Sequence, residues 1–241
     1  MEKISIKGID FLRFSKLSAC QSLSHFFTTR LLPLKLRNEE DRKQLSLLLN
    51  APQILFPQQT HGNNHFLLTP KAPLKDCAPE ADIILVQASF WGAGILVADC
   101  VPVILFDPQK RCFALAHVGW RGALLNVHKK AVRLIQEHFK TNPEQLLAGL
   151  GPSIRVCCFE VGKEVAKQFL KVDPKSVVYR NKRFFVDLVG FIWRDLCTMG
   201  VPPKNIEIAP WCTSCNQDLF FSFRREKEKA DRMALIAWLN N

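Results

Sequence analysis

The sequence contains no uninterrupted apolar stretch near the ~18 residues that a membrane-spanning helix needs. Its most apolar region, residues 83–106, is broken by Gln87, Gly92, Gly94, Asp99 and Pro102. Short buried strands are expected there, and a membrane is not an expected partner. The N-terminus, MEKISIKGIDFLRF, alternates charged and apolar residues and has no signal-peptide core, so the expected compartment is cytoplasmic. Glycine–serine linkers, low-complexity tracts and internal repeats are lacking, so residues 1–241 are read as one domain. Neither a glycine-rich dinucleotide loop nor a Walker loop occurs, which excludes those two ways of cradling phosphates.

Two further shortages bear on cofactors. The nine cysteines are odd in number and follow no export signal, so they are expected as thiols rather than a disulfide framework. Cys212-Thr213-Ser214-Cys215 is a CxxC without a second CxxC to complete a metal site, and it is expected to hold none. The vicinal Cys157-Cys158 is expected to pack. The formal charge is +11, but the basic residues are scattered from Lys3 to Arg232. They gather only at Arg224-Arg225 with Lys227 and Lys229, where Glu226 and Glu228 dilute them. An anionic small molecule, or merely a basic proteome, explains the charge as well, and nucleic acid is not an expected partner.

What is present is ample apolar material, 48% hydrophobic and 10% aromatic, enough for a real core. Leu124, Val127, Ala131, Leu134 and His138 recur at helical spacing and predict an amphipathic helix over 123–140. Further helices are expected at 160–170 and at 188–199, the latter capped by Asp187 and stopped by Gly200. Asn142-Pro143-Glu144 reads as the cap and first turn of a short helix. Strands are expected at 53–56, 83–86, 95–98, 103–106, 112–117, 205–208 and 233–238. The mixture without strict alternation predicts an α+β, layered α/β fold.

Four stretches carry polar residues that strand patterning does not require. Gln59-Thr60-His61-Gly62 follows the first of those strands. Ala98-Asp99-Cys100 places a carboxylate and a thiol between two buried runs, where a lone charge is costly. His117-Val118-Gly119-Trp120-Arg121-Gly122 is a strand-to-helix turn suited to an anion, with Arg121 as a planar cationic fork. Gly151-Pro152-Ser153-Ile154, running on to Cys157-Cys158, suggests a tight turn at a pocket wall. His61, Cys100 and His117 each end a predicted strand, and two imidazoles with a thiolate are a donor set that zinc favours. His25, His65, His128 and His138 are read as surface or packing residues.

In order along the chain, QxHG, ADCxPV, HxGWRG, GPSIxxCC and CT…FFSxRR resemble the YfiH-like family, also called the laccase-domain or polyphenol-oxidoreductase family. They are carried by Gln59–Gly62, Ala98–Val103, His117–Gly122, Gly151–Cys158, and Cys212-Thr213 with Phe220–Arg225. The resemblance implies a three-layer fold with mixed sheets, distantly similar to a Cys-His toxin deamidase. It implies that His61, Cys100 and His117 are both metal ligands and catalytic residues, with zinc or copper as the cofactor. It also implies phosphorolysis of adenosine, inosine, guanosine and methylthioadenosine by nucleoside and phosphate binding, with adenosine deamination beside it. Arg121, Gln59 and Arg30 are expected at the substrate or phosphate, and Asp99 behind a histidine. Two alternatives stand: a metal-free Cys-His hydrolase acting on amides or peptidoglycan precursors, and a copper polyphenol oxidase. The last needs far more histidines than the six present. The sequence departs from the family where Leu31-Leu32-Pro33-Leu34 replaces a glycine pair and serine after Phe27-Thr28-Thr29-Arg30, and where Asp231-Arg232 stands for Gly-Arg.

Overall fold

Apolar runs flanked by turn residues become strands of two mixed six-stranded sheets in a computed structural model that describes residues 1–69, 78–87 and 90–240. The first sheet runs in the order Glu2–Ile6, Ile9–Arg13, Leu23–Thr28, Met233–Leu239, Trp91–Val97, Gln53–Leu55. The second runs Ile206–Ile208, Leu147–Leu150, Val101–Asp107, Cys112–Val118, Ile83–Val86, His65–Leu68. Each mixes parallel and antiparallel pairs. A small third sheet joins Glu160–Val161, Arg183–Val186 and Val177–Arg180.

The two large sheets bury their facing sides against each other. Phe27, Ile95, Val97 and Leu235 from the first meet Ile84, Val86, Ile104, Phe106 and Phe113 from the second. The other face of the second sheet is covered by the helices Val127–Phe139 and Leu188–Thr198 through Ala131, Ile135, Val189 and Ile192. Sheet, sheet and helices form the expected layers of a mixed α/β fold, and the helix Glu39–Leu48 lies on the outer face of the first sheet through Leu45. The apolar region 83–106 is thus divided between strands of the two sheets. Among the described residues, no helix is long and apolar enough to cross a membrane.

Two predicted helices change shape. The expected helix over 123–140 is two helices, Trp120–Leu124 and Val127–Phe139, separated at Asn126, which adopts a left-handed φ of 58°. Asparagine tolerates that conformation because its short polar side chain bonds locally. The break sets Trp120 and Arg121 on a turn of their own. The segment 160–170 begins instead as the strand Glu160–Val161, and its helix runs Lys163–Val172 from the N-cap Gly162. Asp187 caps Leu188–Thr198 as expected, accepting from the Gly190 N–H at 3.0 Å.

His25 shows how the first sheet depends on an uncharged ring. It is 1% exposed, and its Nε2 accepts the Phe14 N–H at 2.9 Å. Burial, with Arg13 nearby, pushes its pKa down to about 4. The unfolded chain therefore takes up a proton here before the folded one does. Stability should hold above about pH 6.5 and fall between there and about pH 4, by up to roughly 3 kcal/mol at ~1.4 kcal/mol per pH unit. Urea titrations across this window should show a flatter pH dependence in His25→Gln, whose amide oxygen can still accept from Phe14. An equal slope in both proteins would remove His25 as the source.

Candidate metal and catalytic site

The chain crosses from the first sheet to the second at residues 98–100, between Trp91–Val97 and Val101–Asp107. Cys100 therefore lies at one end of the sandwich. The loop after Gln53–Leu55 makes the same crossing and carries His61, while His117 stands near the end of Cys112–Val118. The three side chains meet there, each offering a ligand atom within 4.8 Å of the others. Cys100 Sγ is 3.9 Å from His61 Nε2, and the two rings stand edge to face with centroids 4.7 Å apart.

The residue that assembles this trio is Asp82, which lies outside every motif in the sequence. Asp82 is fully buried just ahead of Ile83–Val86. Its Oδ1 accepts from His117 Nδ1 at 2.8 Å and from the His61 N–H at 3.2 Å. Its Oδ2 accepts from the Gly62 N–H at 2.8 Å and from the Thr60 N–H and hydroxyl at 3.3 Å each. One carboxylate thus orients the His117 ring and holds the loop on which His61 sits at φ 58°, a conformation that is uncommon outside glycine. Burial works against ionising Asp82, but the His117 bond and the backbone donors prevail and lower its pKa.

The electrostatics follow from this packing. Burial alone would raise the Cys100 thiol, yet the charge on His117 and hydrogen bonds with both rings bring it down to about 6. Burial likewise opposes a charged His117, but the Cys100 thiolate and Asp82 outweigh it and take the ring up to about 9. Without a cation, thiolate and imidazolium face each other between those values. The donors also fit a zinc ion. The thiolate is favoured, and Asp82 occupies His117 Nδ1, so Nε2 is the nitrogen left to bind, as a carboxylate–histidine–zinc arrangement requires.

The trio opens on a cavity of about 990 Å³ lined also by Trp120, Arg121, Phe159, Phe223, Lys227 and Arg232. Arg121 is exposed, stacked over the Trp120 ring at 4.4 Å, and is among the residues lining the cavity. Phe223 lies within the motif Phe220–Arg225 and Lys227 within the basic cluster beside it, but nothing local in the sequence places these two or Phe159 at the cavity.

One expectation is corrected, and two further expected residues are engaged by the protein itself. Asp99 does not reach a histidine. Its Oδ1 accepts from Thr213 Oγ1 at 2.6 Å, and its Oδ2 from Ser222 Oγ at 3.0 Å and the Arg224 N–H at 2.6 Å. These donors compensate its burial and hold it at φ 89°. Gln59 lines the cavity, but its amide is occupied by Leu96, donating to the carbonyl at 2.9 Å and accepting from the N–H at 2.7 Å. Arg30 lies in a neighbouring groove that shares Lys227. There it donates to the Gln217 carbonyl at 2.6 Å and packs on Phe221 at 4.8 Å.

The family described as multi-copper polyphenol oxidoreductase laccase matches residues 35–240. A protein of Escherichia coli named purine nucleoside phosphorylase YfiH is 32% identical over 205 residues, which cover 83% of this chain and 80% of that one. A protein of an unknown prokaryotic organism named adenosine deaminase is 30% identical over 192 residues, covering 75% and 73% of the two chains. The crystal structure of YfiH from Bacillus licheniformis aligns with a TM-score of 0.83 at 25% identity, over 90% of this chain and 93% of that one. The family match spans the whole second sheet and the strands Gln53–Leu55, Trp91–Val97 and Met233–Leu239 of the first, and it includes the segments that bring His61, Cys100 and His117 together: this chain belongs to the YfiH-like, laccase-domain family.

Proposed function

We propose that this protein is a purine nucleoside phosphorylase with an accompanying adenosine deaminase activity, and that His61, Cys100 and His117 hold a zinc ion. The observation that carries this reading is a His/Cys/His donor set at the wall of an aromatic cavity large enough for a nucleoside. Relatives of this chain bear both activities in their names. The substrates are adenosine, inosine, guanosine and methylthioadenosine, and the products of phosphorolysis are the free base and the ribose or methylthioribose 1-phosphate. Such substrates make the cytoplasm the proposed compartment.

Zinc bound by these three residues supplies Lewis acidity and an acidified water. The chain's own residues do the rest. Asp82 keeps the proton on His117 Nδ1, which leaves Nε2 as a lone-pair donor. Trp120, Phe159 and Phe223 offer apolar faces to the purine. Arg121 and Lys227 carry the positive charge to hold phosphate against ribose C1′. As phosphate oxygen bonds to C1′, the bond to N9 breaks and its electron pair leaves with the base, which takes up a proton.

A second reading has its own support. Cys100, His117 and Asp82 form the nucleophile, base and orienting carboxylate of a Cys-His hydrolase. A copper oxidase is disfavoured because, among the described residues, the other close group of three or more ligand side chains is made of cysteines alone.

Incubating the protein with adenosine or inosine separates these readings. Base released only when phosphate is present supports phosphorolysis, and inosine formed from adenosine without phosphate supports deamination. Both should fall by at least about 100-fold in Cys100→Ala and in His117→Ala. Amide or ester cleavage that survives chelators and needs no phosphate would favour the hydrolase. Full nucleoside activity in either variant would discard the site.

A further inference from the structure

Cys157 and Cys158 stand on the loop between Leu147–Leu150 and Glu160–Val161, and Cys212 and Cys215 on the loop after Ile206–Ile208. Each pair alone lacks the second half of a metal site. The fold supplies it: the loops run side by side, joined by a parallel bridge between Ser153 and Cys212 and by the Thr213 N–H to the Ser153 carbonyl at 3.0 Å. All four sulfurs lie within 4.8 Å of one another. Cys215 Sγ is 3.6 Å from Cys157 Sγ and 3.3 Å from Cys158 Sγ, and all four are free thiols.

We propose that Cys157, Cys158, Cys212 and Cys215 form a second, closed metal centre that binds one zinc ion as a tetrathiolate and braces the cavity from behind. Zinc–sulfur bonds of about 2.3 Å in a tetrahedron put the sulfurs about 3.8 Å apart, close to the spacing here. A cluster of several irons needs room between its thiolates that this knot does not have. The surroundings suit bound thiolates. The Arg155 N–H points at Cys212 Sγ from 3.4 Å, as amide donors do around anionic sulfur. Four thiolates around a dication leave a charge of −2, and three guanidinium groups are anchored on the same loops. Arg180 donates to the Cys157 carbonyl at 2.7 Å, Arg224 to that of Cys158 at 3.2 Å, and Arg155 to that of Ala209 at 2.8 Å.

The position gives the ion its purpose. One loop carries Ile154 and Phe159, which line the cavity, and the other carries Thr213, whose hydroxyl holds Asp99 beside Cys100. An ion tying the loops together fixes two walls of the cavity without touching substrate. The inference stands apart from the purine reading, since it concerns different ligands.

The test is metal content by mass spectrometry of full-length protein prepared with reductant and supplied with zinc. The double variant Cys100→Ala/His117→Ala removes the first site and should retain about one zinc per chain, which adding Cys215→Ser abolishes. Cobalt in the double variant should show tetrahedral bands with strong thiolate-to-cobalt charge transfer. Zinc well below one equivalent in the double variant would overturn the proposal, as would cobalt bands without that charge transfer. A disulfide among the four cysteines under reductant, or iron in place of zinc, would overturn it too. Should Cys215→Ser fail to fold, the double variant alone decides. Because the first site is deleted in it, loss of this zinc and failure of the nucleoside assay are separate results.

Discussion

Asp82→Asn should lower both metal affinity at the His/Cys/His site and kcat/KM by about 10- to 100-fold, the usual scale for residues behind a metal ligand. Every group that Asp82 meets is a donor: His117 Nδ1, the N–H groups of Thr60, His61 and Gly62, and the Thr60 hydroxyl. An asparagine must turn its NH2 toward one side or the other. Facing Gly62 and Thr60, the NH2 confronts donors and releases the loop that carries His61. Facing His117, it demands an acceptor at Nδ1, which moves the ring proton to Nε2 and removes the lone pair that would bind metal. Leaving buried donors unsatisfied should also cost about 1–3 kcal/mol of stability. Zinc-competition titration, nucleoside kinetics and urea unfolding measured on one preparation examine all three effects. Wild-type zinc affinity and turnover in Asp82→Asn would show that the carboxylate merely packs.

Gly119→Ala should reduce kcat/KM by about 100-fold or more with little change in the unfolding midpoint. Gly119 caps the helix Trp120–Leu124 with φ −78°, an ordinary value, so alanine brings no backbone strain. The space decides the outcome. A Cβ there would lie 2.9 Å from Cys100 Sγ and 3.3 Å from His61 Cδ2. The sulfur must rotate away or the glycine turn must move, and either change separates the donors or displaces Arg121. Gly162→Ala is the control, since a Cβ on that N-cap meets nothing within 4 Å. Equal losses in the two variants, or none in Gly119→Ala, would show that the contact at Cys100 is unimportant.

The parts of this protein legible in sequence were those with a local signature. Ile83–Val86 and Met233–Leu239 are near-continuous apolar runs, as strands buried on both faces require. His61, Cys100 and His117 were visible because each interrupts or ends such a run inside a recognisable motif. Asp82 precedes a buried strand much as Asp99 does, and nothing local reveals which carboxylate meets a histidine. The choice is made by pairing, with Ile83 opposite Ala116, which sets Asp82 across from His117. The hairpin Glu2–Ile6 with Ile9–Arg13 is absent from the expected strands, and its turn, Lys7-Gly8, has φ values of 49° and 80°. Consecutive left-handed residues make the tight turns of hairpins, but a lysine gives little warning of that. The cysteine knot was hidden for a stronger reason: its halves meet only through the bridge between Ser153 and Cys212.

The place of Met233–Leu239 in the first sheet governs when that sheet can close. That strand is inserted between Leu23–Thr28 and Trp91–Val97, so two early segments of the chain have no partner on their shared side until residues 233–239 have left the ribosome. Pairings of such long sequence separation form slowly, and the open edges invite association while they wait. The crossing at residues 98–100 is held on one side by the hairpin of Val101–Asp107 with Cys112–Val118, which sets Pro102 opposite His117, and on the other by Trp91–Val97, whose pairing with Met233–Leu239 comes late. The first sheet therefore closes only once Met233–Leu239 is in place, and the segments it sends to the other sheet, those of His61 and Cys100, gain that support only then.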